Sequence, residues 1–167
     1  MRVDWAEVYR TTFADLVRFL HRKVWDPDRA HDLAQEAFVR ALNHEPDNPR
    51  AWLFTVAGNL ARDEARAAIR RKRHLTLIKT EAAEQAVADP AQELEHEQRM
   101  RAVREALARL SERDRDVLLL WGAGLSYGEI AAESGLAPGA IGTTLARARR
   151  RLVEAYDALE ERDVVRR

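Results

Sequence analysis

Cysteine is absent from the 167 residues, and glycine and proline are scarce at seven and five. The first absence removes disulfide scaffolds, thiolate zinc sites, iron–sulfur clusters and cysteine nucleophiles together. The second, beside abundant Ala, Leu, Arg and Glu, favours long helices over a strand-and-turn architecture. Long apolar runs are missing too: the longest, Val117 to Leu125, is about nine residues, where a helix spanning a bilayer needs roughly 20. The first residues, Met1-Arg2-Val3-Asp4-Trp5-Ala6-Glu7, carry charges where a secretory signal needs an unbroken apolar core. A cytoplasmic protein with no membrane insertion is expected.

An excess of either charge is also lacking, since Lys+Arg 28 balance Asp+Glu 28. Nucleic-acid-binding domains usually carry a positive excess, but the distribution matters more than the sum. Between Arg62 and Arg73 the bases Arg62, Arg66, Arg70, Arg71, Lys72 and Arg73 face only Asp63 and Glu64. From Glu81 to Glu97 the pattern inverts, with six carboxylates and no Lys or Arg. Arg147, Arg149, Arg150 and Arg151 form a second basic cluster. Two basic surfaces are thus separated by an acidic stretch.

The aromatic residues divide the chain in the same way. Trp5, Tyr9, Phe13, Phe19, Trp25, Phe38, Trp52 and Phe54 come early, then none until Trp121, Tyr127 and Tyr156. This predicts two separate cores. Trp5, Tyr9, Phe13, Leu16, Val17, Leu20 and Val24 recur at the three- and four-residue steps of an amphipathic helix. Asp26-Pro27 ends it and starts the next, with Asp as N-cap and Pro at the first helical position. That second helix carries the stripe Ala30, Leu33, Ala34, Ala37, Phe38, Ala41, Leu42. Asn43 to Pro49 reads as a loop, and a long helix follows from about Arg50 to Arg73. The segment from Leu75 to Ala91, poor in bulky side chains, reads as an interdomain linker. Leu94, Val103, Leu107 and Leu110 then predict a helix ending at Leu110. Ser111 with Asp114, and Ser126 with Glu129, fit the capping box at the start of two further helices. Gly135 suits a left-handed C-cap, and Pro138 opens a final helix to about Glu161.

Two surfaces stand out. On the long helix, Trp52, Thr55, Asn59, Arg62, Arg66, Arg70 and Arg73 fall within about 80° of each other at roughly 100° per residue. Leu53, Val56, Ala57, Leu60 and Ala67 occupy another side. Single-stranded nucleic acid needs such a mixture, because bases stack on rings, amides read base edges and arginines neutralise phosphates. The projection fits equally a solvated arginine face with Trp52 tucked into the core. The second surface, Leu125 to Ile141, has helix-turn-helix order: a short capped helix, a glycine turn and a second helix, with Ile141 plugging the joint. Beyond it Ile141, Leu145, Ala148, Leu152 and Leu159 line one side, while Thr143, Arg147, Arg150 and Arg151 point away. Its N-terminal part suits a major groove and its arginines suit phosphates. Asp32, Gln35 and Glu36 beside the second helix's apolar stripe read, on spacing alone, as a solvated acidic face.

Signals for catalysis are thin. The five histidines show no ligand pairing at helical spacing, and no HExxH, nucleophile elbow, Walker loop or dinucleotide fingerprint occurs. No cofactor and no metal is expected.

These residues resemble the extracytoplasmic-function group of sigma-70-type transcription initiation factors of bacteria. Asp32-Leu33-Ala34-Gln35-Glu36-Ala37-Phe38 looks like that family's polymerase-binding helix, and Ala51-Trp52-Leu53-Phe54-Thr55-Val56-Ala57-Gly58-Asn59 like its promoter-melting helix. Leu110 onward, through Leu125-Ser126-Tyr127-Gly128-Glu129-Ile130-Ala131 and Ala146-Arg147-Ala148-Arg149, looks like its region four. The resemblance implies an all-α chain of two small helical domains: region two over 1–74, an acidic flexible linker over 75–93, and region four over 94–162. It implies a non-enzymatic factor that binds core RNA polymerase, through the largest subunit's clamp helices and the flap, and directs it to promoter DNA. Asp32, Gln35 and Glu36 would dock on the clamp helices. Trp52, Thr55 and Asn59 would capture bases of the minus-ten element, Arg62 and Arg66 would track the displaced strand, and loop 43–49 would help form the pocket. Thr143, Thr144, Arg147 and Arg150 would contact the minus-thirty-five element. The linker would lie in the RNA exit path, and an anti-sigma factor is a family-level partner. Gly142 and Thr144 stand where many relatives carry basic residues, and the loop before Trp52 is shorter than in some. The readings set against this are a helix-turn-helix regulator acting without polymerase, and a helical enzyme whose acid/base constellation the sequence does not show.

Overall fold

The computed structural model describes residues 2–74 and 90–166, and all regular structure among them is α-helical. The helices are α1 (Trp5–Val24), α2 (Pro27–Ala41), α3 (Pro49–His74), α4 (Pro90–Ala108), α5 (Glu112–Gly122), α6 (Tyr127–Ser134) and α7 (Pro138–Val165). No helix among the described residues is long and apolar enough to cross a membrane.

Local chemistry places most of the boundaries. The Asp4 carboxylate accepts from the amides of Ala6 and Glu7 and starts α1. Asp26 accepts from Asp28 and Arg29 and starts α2, with Pro27 at a position where its missing N–H costs nothing. Between these helices Trp25 has φ +56°, the one left-handed non-glycine among the described residues. Its indole lies under the guanidinium of Arg22 at 5.4 Å and that of Arg104, from α4, at 5.7 Å. The predicted linker 75–93 lies outside the described residues up to 89. Residues 90–93, expected within it, form the first turn of α4, opened by Pro90.

Helices α1, α2 and α3 pack on one another as an N-terminal lobe around Leu16, Leu20, Leu33, Phe38, Leu53 and Phe54. Arg29 of α2 grips Glu64 of α3 through two bonds, Nε to Oε1 at 3.0 Å and Nη2 to Oε2 at 2.7 Å. That guanidinium holds the Glu64 carboxyl below the usual carboxylate range. In the C-terminal lobe α7 runs along α4, α5 and α6, burying Ile141, Leu145 and Ala148.

The expectation of two separate cores is corrected. Val117, Leu120, Leu125, Ile130, Ala131, Ile141 and Leu145 belong to the same buried cluster as the N-terminal residues, because α5 packs on α1 and α6 on α3. Leu42 is corrected too. α2 ends at Ala41, so Leu42 leaves the buried stripe as a C-cap and is 66% exposed.

Candidate nucleic-acid and polymerase interfaces

The Asn48 side chain starts α3 by accepting from the amide of Ala51 at 3.0 Å. Its buried face carries Leu53, Phe54, Ala57, Leu60 and Ala61, which fixes the direction of the opposite stripe. Trp52 stands at the rim of that stripe. Its ring is partly buried, 6.2 Å from Trp5 and 5.0 Å from His44, so it belongs to an aromatic cluster. Thr55 turns its hydroxyl back to the carbonyl of Ala51 at 3.3 Å. Asn59, Arg62, Arg66 and Arg70 are exposed, and Asn59 Oδ1 accepts from Arg62 at 3.0 Å.

Thr55, Gly58, Asn59 and Arg62 form one wall of a cleft of about 390 Å³. Lys23 and Phe19 of α1 and Glu112, Asp116 and Glu133 of the C-terminal lobe also line it. Burial, with the nearby Glu129 carboxylate, pushes the Glu133 carboxyl up to about 7. Spacing in sequence had not brought Lys23, Asp116 or Glu133 to this site.

The helix-turn-helix is assembled by caps. Ser126 Oγ accepts from the Glu129 amide at 3.1 Å and Glu129 Oε1 accepts from the Ser126 amide at 3.0 Å, completing the capping box. Gly135 has φ +71°, and Pro138 begins α7. At Ser111 only half of the predicted box forms. Ser111 Oγ accepts from the Asp114 amide, but the Asp114 carboxylate turns inward to Arg147 (2.7 Å) and Arg151 (3.0 Å), with its side chain 1% exposed. The Arg147 hydrogen bond, outweighing burial, holds this carboxyl below its ordinary value.

That ion cluster revises the expectation for α7. Arg147 and Arg151 do not simply point away; both fold toward α5, while Thr143 and Arg150 are exposed. Thr144 is 5% exposed, on the face of Ile141, Leu145 and Ala148, so it presents no surface to a base. The reason is register: it lies three residues after Ile141 and four before Ala148. Arg149 adds a contact that the sequence did not announce, its guanidinium 3.8 Å from the centre of the Trp121 ring.

On α2, Asp32, Gln35 and Glu36 are all exposed, opposite the buried Ala30, Leu33, Ala34 and Ala37. Asp32 pairs with Arg29 at 3.4 Å and Glu36 with Arg40 at 2.7 Å. Beside them Val39 and Leu42 are 64% and 66% exposed, giving this polar patch an apolar margin. No group of His, Asp or Glu among the described residues could hold a metal ion.

The family models match the same two halves. Sigma-70 region 2 covers residues 8–73 and Sigma-70, region 4 covers residues 100–152. RNA polymerase sigma factor YlaC of Bacillus subtilis is 31% identical over 150 residues, 86% of each chain. ECF RNA polymerase sigma factor EcfG of Rhodopseudomonas palustris is 38% identical over 133 residues, 75% of this chain and 70% of that one. Among solved structures, the sigma factor RpoE of Bartonella quintana, in complex with the anti-sigma factor NepR, superposes with a TM-score of 0.65 at 27% identity, covering 92% of this chain and 97% of that one. CnrH in complex with the cytosolic domain of CnrY gives a TM-score of 0.65 at 26% identity, over 92% and 88%. With both regions present in order and curated relatives matched along most of their length, the chain belongs to the extracytoplasmic-function group of sigma-70 RNA polymerase sigma factors.

Proposed function

We propose that this transcription initiation factor works in the cytoplasm by binding alone, making and breaking no covalent bond. Residues 1–74 act as the unit for core polymerase and the minus-ten element, 75–89 as a tether, and 90–162, from the start of α4, as the unit for the minus-thirty-five element. The observation that carries the reading is the exposed stripe of Asn59, Arg62 and Arg66, continued by the half-buried Thr55, held on a helix whose opposite face is buried. Flipping a base costs a few kcal/mol. Stacking returns about 1–3 kcal/mol per base, and the half-buried Trp52 ring with the Asn59 amide supplies a platform and a base-edge partner. Arg62 and Arg66 then neutralise phosphates of the displaced strand.

Asp32, Gln35 and Glu36, with the apolar margin of Val39 and Leu42, dock on the clamp helices of the largest polymerase subunit. On α7, Thr143 reads the groove, while Arg150 and the oriented Arg147 hold phosphates. Thr144, buried, is left out of this set. An anti-sigma factor is a further partner, supported by the complexes in which the RpoE and CnrH structures were solved.

In vitro transcription with core polymerase and a promoter library tests the reading. Selective initiation that depends on this chain, and that weakens on Asn59→Ala, is expected. An operator complex formed without polymerase, and no selective initiation with it, would favour the helix-turn-helix regulator.

A further inference from the structure

Trp25, between α1 and α2, lines a cavity of about 250 Å³ together with Arg22, Lys23, Arg62, Arg104 and Arg115. Its left-handed backbone, uncommon for a bulky residue, is of the kind that persists where the surroundings impose it, often beside a ligand. Two carboxylates reach the same cavity, and both are taken. Asp116 meets the Lys23 ammonium and accepts from Arg62 at 3.3 Å, while Glu112 lies 3.5 Å from Arg62. Arg22, Arg104 and Arg115 have no carboxylate partner among the described residues. Arg22 reaches the thioether of Met100 at 3.8 Å, a weak acceptor, and Arg22 and Arg104 share the Trp25 ring, which neutralises neither. Five cations against two anions leave an excess of three positive charges in one small space.

We propose that Arg22, Arg104 and Arg115 form a site for a small diphosphate anion, either inorganic pyrophosphate or the phosphate tail of a nucleotide, seated beside Trp25. Guanidinium forks match phosphate oxygens in pairs, and a linked pair of phosphates can engage all three. Size selects the same class: the cavity is below the range of about 300–1,000 Å³ that takes a drug-sized ligand, so it suits a compact anion rather than a whole nucleotide. The proposal goes beyond the DNA and polymerase contacts given above. Arg62, which belongs to both, is occupied here with Asp116 and Glu112. Because the three donors come from α1, α4 and α5, bound anion stabilises the arrangement in which these helices converge.

The test is isothermal titration calorimetry of the full chain with sodium pyrophosphate, without magnesium. Saturable binding is expected, and Arg104→Gln and Arg115→Gln each weaken it by about tenfold or more, the equivalent of one lost charge-assisted hydrogen bond. Arg101→Gln, on the same helix as Arg104 but outside the cavity, removes an exposed and screened charge and changes the affinity by less than about twofold. Orthophosphate, spanning fewer of the guanidiniums, binds at least about tenfold more weakly than pyrophosphate. A hundredfold excess of free pyrophosphate over Kd raises the melting temperature by roughly 5–10 °C, and the rise is lost in Arg104→Gln. Tripolyphosphate and ATP distinguish the sources: equal affinity assigns the inorganic anion, tighter binding of ATP a nucleotide, and the phosphate site stands in either case. Absence of saturable binding at millimolar pyrophosphate overturns the proposal. So does an Arg101→Gln loss as large as that of Arg104→Gln, which marks diffuse charge, or orthophosphate binding as tightly as pyrophosphate. Should Arg115→Gln fail to fold, the exposed Arg104 decides alone. Because polymerase and promoter are absent from every arm, the outcome is independent of selective initiation.

Discussion

Replacing Asp114 with alanine removes a carboxylate that is 1% exposed and bound by two guanidinium groups. A hydrogen bond to a charged group contributes about 1.5–3 kcal/mol, and breaking a fully buried pair costs about 3–5 kcal/mol. Arg147 and Arg151 remain within reach of water at 38% and 52% exposure, so neither is stranded as a buried charge. The expected loss is therefore about 2–3 kcal/mol, below the fully buried case. At about 2–4 °C per kcal/mol for a chain of this size, the melting temperature falls by roughly 5–10 °C. Urea unfolding followed by far-ultraviolet circular dichroism measures it, with the midpoint lowered and the slope m unchanged. The folded carboxyl titrates below its unfolded value, so its contribution is present above about pH 4 and disappears as the pH falls through the lower, folded value. The difference between the two proteins should shrink in acid accordingly. A double-mutant cycle with Arg147→Met separates the pair from the packing. A loss below about 1 kcal/mol, the range of exposed pairs, or a cycle with no coupling, refutes the cluster as described.

Asn59→Ala is expected to leave binding to core polymerase intact and to slow open-complex formation about tenfold, the equivalent of one base-edge contact, as read by permanganate footprinting over time. Glu133→Gln should stabilise the protein at pH 8. The Glu133 carboxyl is raised to about 7, so between roughly pH 4.5 and 7 the folded state binds the extra proton and wild-type stability falls with rising pH. Thermal melts across that window should slope less in the variant, and parallel curves would refute the assignment. Gly135→Ala meets no neighbouring atom but sits at φ +71°, so only backbone strain of about 1–2 kcal/mol should appear in urea unfolding.

What the sequence disclosed was governed by contacts a few residues apart. Asp26-Pro27 and Ser126 with Glu129 mark helix starts through a side chain and an amide within one turn, and both caps form; Gly135 ends α6 through its left-handed backbone, its N–H bonded to Ala131, and Pro138 opens α7. Leu42 failed because the helical period continued one residue past the true end of α2. Thr144 was legible after all: its spacing from Ile141 and Ala148 puts it inside, and the motif resemblance masked that. Asp114 illustrates the opposite limit. Its spacing from Ser111 fits a capping box, and only the approach of α7 makes two arginines better partners than a backbone amide. The contacts of Lys23 and Arg62 with Asp116 span 93 and 54 residues and leave no periodic trace. The single core shared by both lobes was hidden for the same reason.

Trp25 gives the seam between the lobes an optical signature. An indole flanked by a guanidinium from α1 and one from α4 sits in a strong local field, and indole emission shifts with such fields. Movement of α4 removes one of the two charges, so the emission of this side chain changes colour without any added label. Replacing Trp5, Trp52 and Trp121 with phenylalanine isolates that emission, turning the native chain into its own spectroscopic gauge.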